Sequence, residues 1–238
     1  MSVCIEFTAG LPKAHLWATP PQVMPTLLIT GGAGFIGNYT AEIALKQGWN
    51  VRILDNLSTG LPKKASRLEE LGAKVIIGDV RNKDTVTLAV EKSDAVIHLA
   101  AQVSVPQSMD YPEETFEINV VGTANLIQAC QDHGISRFVM ASSAAVYGTN
   151  DAFPLDESDA GAFHSPYADS KWQNEQQVLK AKEAGMEAVA LRFFNVYGTG
   201  QRADGAYAAV IPKFIELAVG GLAPTIFGDG LQTRDFVH

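Results

Sequence analysis

The sequence predicts an α/β fold, in which a doubly wound parallel sheet carries helices on both faces. Short apolar runs alternate with longer stretches whose apolar residues recur at helical spacing. This alternation is typical of parallel sheets with right-handed crossovers. Glycine-rich residues 31–37 come directly after the first apolar run, and Asp55 ends the second. A glycine loop followed by such an acid indicates that the sheet binds a dinucleotide, as in Rossmann-type folds.

The glycine loop joins the first strand to the first helix. Leu27–Ile29 predicts a buried strand, and the periodicity after the loop predicts a helix. Two glycine spacings coexist: Gly32, Gly34 and Gly37 give G-x-G-x-x-G, whereas Gly31, Gly34 and Gly37 give G-x-x-G-x-x-G. Either spacing permits a tight turn whose backbone N–H groups approach a pyrophosphate at the helix N-terminus.

The second strand ends at an acid. Val51–Leu54 is apolar, and Asp55 follows it, 18 residues after Gly37. An acid about 20 residues beyond a dinucleotide loop binds the ribose hydroxyls of the adenosine, and its charge repels a 2′-phosphate. The spacing therefore favours NAD over NADP, although Asp55 could also be an ordinary loop acid.

The remaining elements continue the alternation. Strands are predicted at residues 75–77, 94–99, 137–140, 188–194 and 225–227, and helices at residues 63–71, 83–92, 113–133, 166–184 and 206–219. The last helix is expected to be kinked or split at Pro212, and Ser165 is placed to cap the helix that Pro166 begins. Because ligands of such sheets bind at the carboxyl ends of the strands, the functional residues are expected along that edge.

Composition and charge narrow the class of protein. The chain of 238 residues is 47% hydrophobic and 18% charged, as in soluble α/β proteins. A net charge of −8 argues against nucleic acid or an anionic membrane as a partner, because both bind basic surfaces. No apolar run approaches the ~18 residues of a membrane span. Cys4 and Cys130 lack the spacing of metal ligands, so we expect free thiols in a cytoplasmic protein and no metal site.

The chain divides into three parts on this interpretation. Residues 1–23 carry three prolines and none of the features of a secretion signal, so they are interpreted as an extension outside the fold. Residues 24–185 form the dinucleotide-binding domain with the helix at 166–184. Residues 186–238 add the last strand of the sheet and part of a substrate-binding lobe.

A tyrosine and a lysine on one predicted helix carry the chemistry. Tyr167 and Lys171 lie four residues apart, so both project from the same helix face. A neighbouring ammonium group and a positive nicotinamide ring would favour the tyrosine phenolate. Such a phenolate can take the proton of a sugar hydroxyl while hydride leaves the same carbon. Tyr-x-x-x-Lys is also common on ordinary helix surfaces, and the functional interpretation depends on the glycine loop and on Ser142 and Ser143.

Together these motifs resemble the extended short-chain dehydrogenases/reductases of the NAD-dependent epimerase/dehydratase family. The resemblance covers residues 25 to 238 almost completely. The matching segments are Thr30–Gly37, Leu54–Asn56, Gly78–Arg81, His98–Ala101, Asn119, Gly122–Thr123, Ser142–Gly148, Tyr167–Lys171, Arg192–Asn195 and Thr233–Phe236.

The resemblance implies roles for individual residues. It makes Ser143, Tyr167 and Lys171 catalytic. It assigns NAD to Gly31, Gly34, Phe35, Ile36, Gly37, Asp55, Asn56, Asp79, Val80, Leu99, Ala100, Ala101, Asn119, Ser142, Tyr167 and Lys171. It assigns a UDP-sugar substrate to Ser143, Tyr167, Asn195, Phe227 and Arg234. It also implies a homodimer that forms through the helices at 113–133 and 166–184.

Some of these roles have alternatives. Asp79 is implied to hold the adenine amino group, but it could merely cap a turn. Asn119 is implied to belong to the network behind Lys171, but it could be a buried amide satisfied by the backbone. His98 is interpreted as structural, because a histidine at a strand end is more often packed than catalytic.

Two alanines narrow the reaction that the resemblance implies. Related sugar-nucleotide dehydratases carry Thr-Asp-Glu where this chain has Ser143, Ala144 and Ala145, and related decarboxylases carry a Glu at the second position. Alanine supplies no proton, so elimination is disfavoured. What remains is reversible oxidation at C4, rotation of the 4-keto sugar and return of hydride to its other face, that is 4-epimerisation. The family continues beyond the Arg234–Phe236 motif, so the substrate lobe is expected to be incomplete. A simple NAD-linked oxidoreductase and a catalytically weak NAD-binding remnant stay open as alternatives.

Overall fold

The computed structural model describes residues 24–150, 154–161, 163–203 and 209–238. The predicted extension at residues 1–23, including Cys4, lies outside the described residues. Within them, Cys130 is a free, buried thiol on the apolar face of a helix, and burial raises its pKa to about 12. No helix in the described ranges is both long enough and apolar enough to cross a membrane.

A six-stranded parallel sheet forms the centre of the fold, which confirms the predicted class. Its strands are β1 (Thr26–Thr30), β2 (Asn50–Asp55), β3 (Lys74–Ile77), β4 (Ala95–His98), β5 (Arg137–Ser143) and β6 (Glu187–Phe193). They lie in the order β3-β2-β1-β4-β5-β6, and every pairing is parallel. The connections reverse direction between β1 and β4, and in such sheets a ligand binds in the crevice at that point.

Helices cover both faces of the sheet. They are α1 (Phe35–Lys46), α2 (Pro62–Glu70), α3 (Lys83–Val90), α4 (Val105–Asp110), α5 (Pro112–Phe116), α6 (Gly122–Asp132), α7 (Pro166–Glu183) and α8 (Val210–Val219). Alternate residues of β1 point to opposite faces, as strand geometry requires. Leu28 joins the core beneath α3, α6 and α7, whereas Leu27 and Ile29 pack with residues of α1 and α2.

The predicted helix at 113–133 is composed of three successive helical segments. A π-helical segment, Glu117–Val121, joins α5 to α6, so the chain is helical without interruption from residue 112 to 132. A π turn widens the helix locally and is often found at functional sites. Here it leaves backbone carbonyl groups of residues 119 and 120 turned toward α7, whose side chains donate to them.

The C-terminal part differs most from prediction. The predicted strand at 225–227 is wrong, because these residues are irregular and exposed. A short parallel pair, β7 (Asn195–Val196) and β8 (Phe236–Val237), forms instead. Residues 206–208 of the last predicted helix lie outside the described residues. From Val210 that helix runs unbroken, because Pro212 occupies the first turn, where a missing N–H costs no helical hydrogen bond.

Candidate active site

The glycine loop approaches the end of β4 closely. Gly31 has φ +71°, and a Cβ atom there would lie 2.8 Å from the backbone nitrogen of Ala100. A Cβ on Gly37 would collide with the carbonyl oxygen of Gly31. The backbone therefore requires glycine at the first and last positions of G-x-x-G-x-x-G. The middle glycine, Gly34, directly precedes α1. The glycines thus let the loop, the end of β4 and the start of α1 pack closely, and this tight turn forms a cradle of the kind that a pyrophosphate approaches.

The N-terminus of α1 faces this cradle. Gly34 is the N-cap residue and supplies no side-chain cap, and Phe35 and Ile36 begin the helix. The first N–H groups of a helix have no intrahelical acceptor and carry the positive end of its dipole. They can therefore donate to the phosphate oxygens of NAD.

Asp55 is buried at the end of β2, with both carboxylate oxygens in use. The N–H of Ala33 donates to Oδ2 at 2.9 Å, and the N–H of Leu57 donates to Oδ1 at 2.8 Å. A carboxylate offers about four acceptor positions, so about two remain. Two remaining acceptors match the two ribose hydroxyls of an NAD adenosine. The site fits the predicted role.

Asp79, after β3, has its acceptor positions filled. Its Oδ1 accepts the N–H and Nε–H of Arg81, and its Oδ2 accepts Nη2–H of Arg81 and the amide of Asn56. The hydrogen bonds from Arg81 hold the pKa of Asp79 well below its usual range. An adenine amino group would have to replace one of these donors, so the structure brings Asp79 and Asn56 together without leaving the carboxylate free. Val80 is buried beside them.

Beyond β4, the chain is held by Thr30 and His98. The Thr30 hydroxyl oxygen accepts the N–H groups of Leu99 and Ala100 at 3.2 and 3.1 Å, and half-buried Ala101 follows. The His98 ring bonds Thr30 Oγ1 through Nδ1 and Thr123 Oγ1 through Nε2. Burial lowers the pKa of His98 to about 3, so the ring is neutral. His98 is a structural residue, as predicted.

Asn119 sits in the π-helical segment and ties three parts of the site together. Its Oδ1 accepts the N–H of Gln102, and its Nδ2 donates to the carbonyl oxygen of Gln102 and to Ser170 Oγ. Its own carbonyl oxygen accepts the side-chain amide of Asn174 at 2.8 Å. The Asn119 side chain therefore links the end of β4 to α7. Its contact on α7 is Ser170, the residue before Lys171.

Ser143, Tyr167 and Lys171 converge where β5 meets α7. Ser165 caps α7 by accepting the N–H of Ala168 at 3.1 Å, so the helix begins directly before Tyr167. The Ser143 hydroxyl interacts with the phenol of Tyr167 and acts to lower its pKa. Nζ of Lys171 donates to the carbonyl oxygen of Ala141 at 2.9 Å, which leaves two of its N–H groups for other acceptors.

Burial dominates the electrostatics of the pair. It raises the pKa of Tyr167, and the neighbouring Ser143 hydroxyl only partly opposes this. Burial also lowers the pKa of Lys171 to about 8, although the Glu175 carboxylate opposes the shift. Desolvation disfavours both charged forms, so the lysine does not lower the pKa of the phenol by itself. The predicted phenolate therefore depends on the positive nicotinamide ring as well, and it stays a prediction.

Glu175 and Arg192 complete this corner and were missed as functional candidates. Arg192 Nε and Nη2 donate to both oxygens of Glu175 at 3.0 and 2.8 Å, and the Ser142 hydroxyl donates to Oε1. The spacing of Tyr167, Lys171 and Glu175, each four residues apart, was a usable signal, because it places all three on one helix face.

The predicted substrate residues are only partly brought together. Phe193 pairs with Ser143, so Asn195 follows the strand next to the catalytic serine. The side-chain amide and the N–H of Asn195 both donate to the carbonyl oxygen of Asp235, which places Arg234 nearby. Phe227 does not join them: its side chain is 81% exposed, because the predicted strand around it does not form.

Comparison with known proteins matches almost the whole described chain. The sequence profile of the NAD dependent epimerase/dehydratase family matches residues 27–238. A putative UDP-glucose 4-epimerase of Methanocaldococcus jannaschii is 39% identical over 215 residues, which cover 89% of this chain and 69% of that protein. A UDP-N-acetyl-alpha-D-glucosaminuronate decarboxylase of Bacillus cytotoxicus is 36% identical, over 89% of this chain and 66% of that protein. The chain thus spans about two thirds of the length of these relatives.

Solved structures give the same result. A UDP-N-acetylglucosamine 4-epimerase from Methanobrevibacter ruminantium, in complex with UDP-N-acetylmuramic acid, aligns with a TM-score of 0.85 and 37% identity. The alignment covers 90% of this chain and 69% of that one. A Thermus thermophilus UDP-glucose 4-epimerase in complex with NAD aligns with a TM-score of 0.80 and 34% identity, covering 89% and 70%.

Proposed function

This chain belongs to the NAD dependent epimerase/dehydratase family, and we propose that it interconverts the C4 epimers of a UDP-sugar, with UDP-glucose and UDP-galactose as the first pair to test. The observation that carries the proposal is the convergence of Ser143, Tyr167 and Lys171 at the carboxyl edge of β5, beside two alanines. Relatives named as UDP-sugar epimerases support it.

Each catalytic residue has a task that its surroundings support. Tyr167 accepts the proton of the C4 hydroxyl and later returns it, and Ser143 bonds the same oxygen. The ammonium of Lys171 lowers the cost of the phenolate, and its two free N–H groups can hold the ribose next to the nicotinamide. Asp55 and the glycine loop hold the other end of NAD. Bound NAD would supply the chemistry that removes hydride from C4 and returns it, and C4 is inverted because the 4-keto sugar rotates in the site between the two transfers.

The residues after Ser143 favour epimerisation over elimination. Ala144 and Ala145 begin a short 3-10 helix whose N-cap is Ser143, with Oγ accepting the N–H of Ala145 at 3.1 Å. Neither methyl side chain can donate or accept a proton. The resemblance implies carboxyl groups in this stretch of a dehydratase or decarboxylase, whereas Ala144 and Ala145 offer no acid or base for elimination from the oxidised sugar.

An NAD-linked oxidoreductase is the second candidate, and one observation favours it. Residues 218–238, which carry Arg234 and Phe227, are exposed throughout. A site that is open on the substrate side would let the oxidised sugar escape before hydride returns. Net oxidation would then consume NAD.

One assay separates the two functions. Purified protein is incubated with UDP-galactose without added NAD, and the sugar nucleotides are followed by chromatography together with absorbance at 340 nm. Conversion to UDP-glucose at constant absorbance is the expected result. A rise in absorbance that matches sugar consumption indicates the oxidoreductase. If neither UDP-hexoses nor UDP-N-acetylhexosamines react in NAD-supplemented, folded protein, the epimerase proposal is wrong.

We further propose a homodimer in the cytoplasm. Apolar side chains of α4, α5 and the residues between them are exposed, among them Met109, Tyr111 and Phe116 at 60%, 59% and 42%. They lie beside the predicted dimer helices, and the surface that a second copy would cover is apolar. Light scattering coupled to size-exclusion chromatography measures the stoichiometry.

A further inference from the structure

The carboxylate of Glu175 joins three elements of the site. It lies on α7, one turn beyond Lys171, and its side chain is only 10% exposed. Its Oε1 accepts the hydroxyl of Ser142 on β5, and both of its oxygens accept from Arg192 on β6. Among the residues that the structure describes, Glu175 is the one carboxylate bonded to side chains of both β5 and β6.

Arg192 is itself fixed, so Glu175 cannot move without breaking several contacts. Nη1 of Arg192 donates to the carbonyl oxygen of Glu157 at 2.7 Å, and its guanidinium carbon lies 4.8 Å from the centre of the Tyr147 ring. A guanidinium with a planar, bidentate partner is more rigid than a lysine would be. The carboxylate is therefore held at a set position relative to β5.

The segment that Glu175 holds is the one that carries the chemistry. Ser142 lies between Ala141, whose carbonyl oxygen accepts from Lys171, and Ser143, whose hydroxyl interacts with Tyr167. A displacement at Ser142 would move both contacts. Because the Ser142 proton is directed at Glu175, its oxygen faces other partners only as an acceptor.

The charges around Lys171 leave Glu175 as its counter-ion. His98 on β4 is neutral, since burial lowers its pKa to about 3. Tyr167 on the same helix carries no negative charge at neutral pH, because burial raises the pKa of its phenol above the ordinary value. Arg192 on β6 lies beyond the carboxylate and partly offsets it. The Glu175 charge opposes the loss of the Lys171 proton, whose pKa is about 8.

We propose that Glu175 is a positioning residue for the catalytic pair, one that clamps residues 141–143 of β5 against α7 and supplies the negative charge that keeps the Lys171 ammonium in place. The proposal deepens the proposed function and rests on it for its kinetic consequences. A purely structural ion pair would change stability but leave the protonation of Lys171 as it is.

The test compares Glu175→Gln with Glu187→Gln. Glu187 forms an ion pair with Arg137 at 2.9 Å across the amino ends of the same two strands, so it is a matched control away from the site. The first readout needs no turnover: 13C-labelled lysine side chains are titrated by NMR, and the Lys171 signal is identified with Lys171→Arg. Removing a counter-ion shifts a pKa by about one unit, and we expect the Lys171 pKa to fall by that amount in Glu175→Gln only.

The second readout is the pH profile of kcat. A fall of about one unit from 8 lowers the protonated fraction of Lys171 at pH 8 about fivefold. We therefore expect a fivefold loss of kcat at pH 8, a small loss at pH 6.5 and a nearly unchanged KM for the sugar nucleotide. Glu175→Asp, which keeps the charge, should restore much of the profile.

Each outcome decides a different question. If Lys171 titrates as in the wild type in Glu175→Gln, or shifts equally in Glu187→Gln, the positioning role is wrong. If the wild-type protein turns over no sugar nucleotide, the proposed function fails while the NMR titration still tests Glu175. Should Glu175→Gln leave Arg192 as a buried unpaired charge and fail to fold, Glu175→Gln combined with Arg192→Met removes both charges. The Lys171 pKa should still fall in that variant, but by less, because the offsetting Arg192 charge is removed as well.

Discussion

We predict that Asp55 decides which dinucleotide the protein prefers, and Asp55→Asn tests this. The buried carboxylate accepts backbone N–H groups from Ala33 in the glycine loop and from Leu57 in the next loop. A Cβ atom at Gly60 would lie only 2.7 Å from Oδ1, so the carboxylate is also closely packed. An asparagine keeps the shape but has one oxygen, and its NH2 group would face one of the two backbone donors.

The expected loss of NAD affinity follows from the acceptors that disappear. A hydrogen bond to a charged group contributes ~1.5–3 kcal/mol. The lost oxygen removes one of the two ribose acceptors, which costs ~1.5–3 kcal/mol, or roughly tenfold to a hundredfold in Kd, because ~1.4 kcal/mol is a factor of ten. One buried N–H also loses its acceptor, which costs ~1–3 kcal/mol of folding free energy. NADP, which the carboxylate repels, should weaken far less.

Titration calorimetry on protein stripped of nucleotide measures both affinities. Asp94→Asn is the matched control, because Asp94 also accepts a backbone N–H, that of Thr26 at 2.7 Å, but at the amino end of the sheet. NAD binding should be unchanged there. Equal weakening for NAD and NADP in Asp55→Asn, or equal weakening in both variants, would refute the ribose assignment and leave Asp55 as a loop acid.

Two further predictions concern the catalytic edge. Tyr167→Phe should lower turnover by ~10²–10⁴-fold, because it removes the proposed general base, while NAD content and the melting temperature stay close to wild type; turnover near the wild-type rate contradicts the assignment. His98, whose pKa falls from 6.5 to about 3 on folding, binds a proton only when unfolded between those values. Its contribution to the free energy of unfolding is therefore complete above pH 6.5. It is lost by ~1.4 kcal/mol per pH unit as the pH falls toward 3. Urea unfolding between pH 6.5 and 4 measures this. The free energy of unfolding should fall less steeply with pH in His98→Gln than in the wild type, whereas His133→Gln, at an exposed position, should have the wild-type slope.

The sequence predicted the elements of the sheet because its apolar runs are buried on both faces. All six strands of the main sheet overlap their predicted positions, since continuous apolar runs such as Leu27–Ile29 have no other stable placement in an α/β protein. The edge along which Asp55 and Ser143 both lie also follows from parallel topology alone. The strands and their shared carboxyl edge are therefore properties of the pattern, whereas the order of the strands is not.

Other features depend on contacts that no local pattern encodes. The π-helical segment at Glu117–Val121 has the periodicity of an ordinary helix, and only its partners on α7 reveal it. The raised pKa of Tyr167 depends on burial by distant residues. The strand predicted around Phe227 rests on a short run, Thr225, Ile226 and Phe227, of which two residues are apolar. A short strand needs a neighbour with which to pair, and β8 pairs with β7 instead.

The polar contacts of α7 explain how the catalytic helix keeps its register. Apolar side chains lower on the helix, Val178 and Ala181, hold it to the core, but such packing is not directional and tolerates small displacements. A slip of one residue would move Tyr167 by ~1.5 Å along the axis and ~100° around it. The amides of Asn174 and Gln177 donate to the carbonyl oxygens that the π turn turns toward them. These contacts have a single satisfied register, so the apolar pattern predicts the helix while the polar pairs place its tyrosine.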